Sequence, residues 1–140
     1  KNTISNAMDV GNPSNFIRIQ QLFDNDLNLM KNSFSAYSFT DKETKNAMQQ
    51  IYNNSKYLSD PHGAVGYLGA KLFQKEHPKS LCIFLETAHP VKFMDIVKET
   101  LSARMAIPEQ IKSSLEKKKK SIKIKTYEDL KRFLNFEKLL

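Results

Sequence analysis

Residues 80–93 read SLCIFLETAHPVKF. Leu81, Cys82, Ile83, Phe84 and Leu85 form an unbroken apolar run, without the polar alternation of a half-exposed strand. Such a run predicts a strand covered on both faces, the usual state of a strand in a parallel sheet. The pattern breaks at Glu86, Thr87, Ala88, His89 and Pro90, after which Val91, Met94, Val97 and Leu101 recur at roughly helical spacing. Pro90 suits the first turn of that helix, where its missing N–H is not needed. A polar turn thus joins the carboxyl end of a central strand to a helix N-terminus, the place where open α/β sheets put their ligands. The expected fold class is α/β, a short parallel sheet flanked by helices.

Composition narrows the function classes. A chain of 140 residues allows one domain or part of one. It holds no apolar stretch long enough for a membrane span and no signal-peptide pattern, so a cytoplasmic protein without a membrane partner is expected. The one cysteine, Cys82, lies inside the apolar run; it offers neither a disulfide framework nor a cysteine metal site, and no metal is expected. The net charge of +7 invites a nucleic-acid reading, but its distribution opposes it. Residues 1–100 carry 11 Lys and Arg against 10 Asp and Glu, whereas 101–140 carry 11 against 5. The basicity belongs to the tail, and the four lysines at 117–120 read as a solvated helix end without an aromatic platform beside them.

Taken in order, residues 11–15 (GNPSN) read as a turn into a helix, with Asn12 as cap and Pro13 in the first position. Phe16, Ile19, Leu22, Phe23, Leu27 and Met30 then give one helix an apolar face. Residues 34–39 alternate well enough for a short strand. Thr40 and Glu43 have capping-box spacing before a helix carrying Ala47, Met48, Ile51 and Tyr52. Asp60 and Pro61 open another helix, in which Gly63, Gly66 and Gly69 fall at period three. Each costs about 0.5–1 kcal/mol relative to Ala, so the groove they make has a reason: close packing, or room for a flat ligand. Pro108 begins a short helix with Ile111 and Leu115. Residues 121–125 alternate as an edge strand, and Thr126 opens a last helix with Leu130, Phe133, Leu134 and Phe136.

The stretch ETAHPVKF closely resembles the C-terminal active-site turn of the threonine synthase family, pyridoxal-phosphate enzymes of the tryptophan-synthase-β fold type. ISNAMDVGNPSNFIRI near the start and DPHGAVGY in the middle agree in order and spacing. The resemblance implies the C-terminal part of such an enzyme, a carbon-oxygen lyase that converts O-phosphohomoserine and water to threonine and phosphate. Residues 1–105 would belong to the catalytic domain, and 106–140 would be a basic helical extension packing on it. Thr87 would offer its hydroxyl to the pyridine nitrogen, Ala88 would leave room for the ring, and His89 would orient the turn or face the substrate. Asp9, Asn12, Ser14 and Asn15 would form a substrate-side loop, the alternative being that they only cap the turn. The Schiff-base lysine and the phosphate-holding loop of the family have no counterpart in residues 1–140. The chain alone is therefore expected to be inactive and to self-associate over its uncovered apolar surface. Two other classes stand beside this reading: a non-catalytic dimerisation or regulatory α/β domain, and a nucleic-acid-binding module acting through the tail.

Overall fold

The computed structural model describes residues 2–101 and 106–136. The chain divides into two compact units, 1–105 and 106–140.

The first unit is built on three helices. Helix α3 (Asp41–Ser55) packs on α4 (Pro61–Glu76) and on α5 (Met94–Leu101), which continues a 3-10 turn, Pro90–Phe93. Its start follows from sequence chemistry: the Glu43 N–H donates to the Thr40 hydroxyl, and the Thr40 N–H donates to the Glu43 carboxylate, the reciprocal bonds of a capping box. Ala47, Met48 and Ile51 then fall on one face and are buried against Ala64 of α4, Phe93 of the turn and Val97 of α5. Side chains tie the outer edges. Lys45 pairs with Glu99 at 2.7 Å, and the Gln49 amide donates to the Thr100 carbonyl at 3.0 Å.

Helix α4 starts as its sequence indicates, with Pro61 at its first turn and the Asp60 carboxylate accepting from the His62 N–H at 2.8 Å. Ahead of this core, the chain forms a 3-10 turn (Asn6–Met8) and two short helices, α1 (Phe16–Leu22) and α2 (Leu27–Ser33), neither of which contributes a buried residue. The expected single helix over this region is therefore broken. Asp24 and Asn25 take positive φ, 50° and 59°, reversing the chain, and Asp26 caps α2 by accepting from the Asn28 and Leu29 amides. Asp and Asn tolerate the left-handed region better than other non-glycine residues. Helix α1 also begins later than expected, after Asn15 instead of after Asn12.

The second unit holds α6 (Glu109–Leu115), preceded by Pro108, and α7 (Tyr127–Phe136). The Asp129 N–H donates to the Thr126 hydroxyl, so the expected cap is present.

The α/β expectation is overturned: the described residues contain helices and no strand, hence no short parallel sheet. Residues 34–39 and 121–125 are extended or irregular but unpaired, as are 81–87. A ladder needs a second backbone alongside, and no other described segment supplies one. The 81–85 run is not covered on both faces either. Leu81, Ile83 and Leu85 are 90%, 82% and 77% exposed, while Cys82, Phe84 and Glu86 turn inward. An apolar run alone does not distinguish a strand buried on two faces from an extended segment with only one face covered.

Candidate functional site

The inward face of the extended segment lies along the glycines of α4. A Cβ at Gly66 would meet the Phe84 side chain at 3.5 Å, ordinary contact, whereas one at Gly63 would fall inside the Glu86 carboxyl group. The period-three groove is thus filled by Phe84 and Glu86, with Tyr37 over Gly69. Tyr67 meets Phe84 edge to face at 5.9 Å.

Glu86 arrives beside Asp60, which is fully buried. Both Glu86 oxygens and Asp60 Oδ2 lack a hydrogen-bond partner if both groups are drawn as carboxylates, because two acceptors cannot satisfy each other. One proton between them resolves this. Burial, and then the bond to Asp60, push the Glu86 carboxyl up to about 7. Burial also raises Asp60, but the bonds it accepts from the Glu86 carboxyl and from the His62 N–H and ring outweigh this and hold it below its ordinary value. The proton therefore resides on Glu86 and the negative charge on Asp60. His62 Nδ1 lies 2.7 Å from Asp60 Oδ1, and its ring rests against Phe93 at 4.8 Å. An ionised carboxylate only accepts, so the hydrogen sits on Nδ1.

Thr87 follows Glu86 and is exposed; its hydroxyl makes no hydrogen bond among the described residues. Ala88 packs against the core, and the exposed His89 accepts the Val91 N–H through Nδ1 at 3.1 Å, closing the 3-10 turn. Thr87 is thus displayed between two anchored neighbours. The loop residues fare differently. Asp9 accepts from the Thr3 hydroxyl at 2.7 Å and the Thr3 N–H at 2.9 Å, and these bonds hold its carboxyl below the usual range. Thr3, Ile4 and Asn6 face Lys92, Phe93 and Ile96 across a cleft of about 300 Å³, which brings the N-terminal segment against the turn following His89. Asn12, Ser14 and Asn15 are exposed, and no hydrogen bond joins them to Thr87 or His89 among the described residues. Asn15 stands at the start of α1 but makes no side-chain cap bond. Sequence reasoning gave Asp60 only a capping role and left Glu86 unassigned; the glycine in the first turn of α4 was the one local signal that something enters there.

A family model described as "Threonine synthase, C-terminal" matches residues 63–134. The chain belongs to the threonine synthase family. The Escherichia coli (strain K12) threonine synthase is 33% identical over 109 residues, 78% of this chain and 24% of that protein. The threonine synthase of Buchnera aphidicola from Acyrthosiphon pisum is 34% identical over 115 residues, 81% of this chain and 26% of that protein. Among solved structures, E. coli threonine synthase superposes with a TM-score of 0.70 at 31% identity, covering 81% of this chain and 26% of that one. The threonine synthase of Brucella melitensis, solved with PLP bound, gives 0.61 at 25% identity, covering 84% and 30%. The chain spans about a quarter of the length of the threonine synthases it matches. Among the described residues, no helix is long and apolar enough to cross a membrane.

Proposed function

We propose that the chain is the C-terminal part of a pyridoxal-phosphate-dependent threonine synthase acting on O-phosphohomoserine, with Thr87 contributing the hydroxyl that meets the cofactor's pyridine nitrogen. The observation that carries this reading is the exposed, unbonded Thr87 hydroxyl between the buried Glu86 carboxyl and the core-packed Ala88. A hydroxyl so placed is free to pair with a ring nitrogen, and the small side chain of Ala88 adds no bulk where a flat ring approaches. Bound there, the cofactor would supply the electron-withdrawing ring for elimination of phosphate and replacement by water. Thr87 would hold the ring in place, and as a neutral group it would not keep the nitrogen protonated. His89 would keep the turn closed through Val91. Asp9, Asn12, Ser14 and Asn15 would act on the substrate side, more by binding than by proton transfer. Residues 1–105 would belong to the catalytic domain and 106–140 would extend it.

The 140-residue chain alone is expected to be inactive and to self-associate. The test is phosphate release from O-phosphohomoserine by the full-length protein of which this chain is proposed to be a part. Ser14→Ala and Asn15→Ala should raise KM more than they change cofactor affinity. No turnover in the full-length protein would overturn the assignment. An unchanged KM in both variants would return the loop to a purely structural role.

A further inference from the structure

We propose that Glu86 is a positioning residue for Thr87: its protonated carboxyl, seated over Gly63, donates a hydrogen bond to the Asp60 carboxylate and fastens the backbone before Thr87 to the start of α4. Three observations meet here. The seat exists only because position 63 lacks a Cβ. The Glu86 oxygens are buried without any other partner, and Asp60 Oδ2 is left over after His62 has taken Oδ1. The held residue is the immediate neighbour of an exposed hydroxyl that nothing else among the described residues restrains. An extended segment with no ladder partner keeps its end in register only through its side chains, and at this end the side chains are Glu86 and Ala88.

The surroundings favour one proton shared by the pair. From the start of α4 Asp60 faces Glu86, with His62 on the other Asp60 oxygen; the Ser59 hydroxyl donates to the Asp60 carbonyl at 2.9 Å, and Tyr57 adjoins from the preceding loop. The α3 residues around the adjoining cavity, Ile51, Asn54 and Ser55, carry no charge, and Lys56 stands instead over the Tyr52 ring. Among the described residues, no cation therefore reaches the pair except by way of His62. When Glu86 ionises, two buried carboxylates face each other, and the segment that ends at Thr87 is pushed off α4.

The functional part of this inference rests on the proposed role of Thr87, while the structural part does not. Amide NMR of the 140-residue chain in an Ile83→Lys background, which removes strand addition along 81–85, separates them. The Thr87 N–H signal should move with a midpoint near pH 7. Glu86→Gln, which keeps a neutral donor toward Asp60, should abolish that transition and leave the signal at its low-pH position. Gly63→Ala, which retains every titratable group but fills the seat, should move the midpoint toward the ordinary carboxylate range, about 4–5. In the full-length protein, cofactor affinity should fall as pH rises through 7 in the wild type and stay level in Glu86→Gln. A pH 7 transition at Thr87 that persists in Glu86→Gln belongs to a histidine and overturns the proposal. A transition that Glu86→Gln removes, with cofactor affinity indifferent to Thr87→Val, upholds the Glu86–Asp60 tether and overturns only the role of Thr87.

Discussion

At the scale of single residues, the protein concentrates its unusual chemistry in Asp60, His62, Gly63 and Glu86. The two carboxyls shift in opposite directions, so the pH dependence of stability has two limbs. Glu86 is raised from 4.5 to about 7 in the fold; its contribution is complete below about 4.5 and is lost as pH rises toward 7. Asp60 is lowered from 3.8; its contribution is present above that value and is lost as pH falls through the folded value. Together they place the pair's optimum between about pH 4 and 5. Urea unfolding at a series of pH values should show stability declining from pH 5 to 7, with Glu86→Gln flattening that limb. A wild-type curve that rises over this interval and an identical Glu86→Gln curve would contradict the assignment. Asp60→Ala removes the α4 cap and the His62 partner together, and should cost about 1–2 kcal/mol for the cap alone. None of this pairing was legible in sequence, because residues 26 positions apart meet only after α4 and the extended segment are laid side by side. What sequence did show was the cap, since Asp followed by Pro is a local signal.

At the scale of elements, the same contrast recurs. Capping chemistry is read from neighbours, so the starts of α3, α4 and α7 agree with Thr40, Asp60 and Thr126. Thr40→Ala should cost about 0.5–2 kcal/mol, measured by chemical denaturation. The end of α3 offers an opposite change. Lys56 takes φ of 57° there, a left-handed conformation that costs a non-glycine residue about 1 kcal/mol, so Lys56→Gly should stabilise the protein by up to that amount. Extended segments were misread because periodicity reports which side chains are apolar and not which faces are covered. Leu81, Ile83 and Leu85 have the composition of a buried strand face and stand in solvent. The break between α1 and α2 was missed for a related reason: Phe23 and Leu27 continue the apolar spacing through it, while the turn is made by the backbone of Asp24 and Asn25.

At the scale of the whole molecule, an extended segment with free backbone groups and one apolar face is a template for strand addition. In the isolated chain, a second copy is the available occupant, and light scattering should report an oligomer. Ile83→Lys should give a monomer of unchanged helix content by circular dichroism. A monomeric wild type would contradict the expected self-association. Family membership was legible from three short motifs, because the chemistry of a turn such as ETAHPVKF is carried by consecutive residues and survives where fold class was misjudged. The proposed role of Thr87 in holding the cofactor ring is read out by a pyridoxal-phosphate titration of the full-length protein, followed by the cofactor's absorbance. Leaving a buried ring nitrogen unpaired costs about 1–3 kcal/mol, so Thr87→Val should bind roughly 5- to 150-fold more weakly, with Thr87→Ser close to wild type. Equal affinity in Thr87→Val and wild type would contradict it.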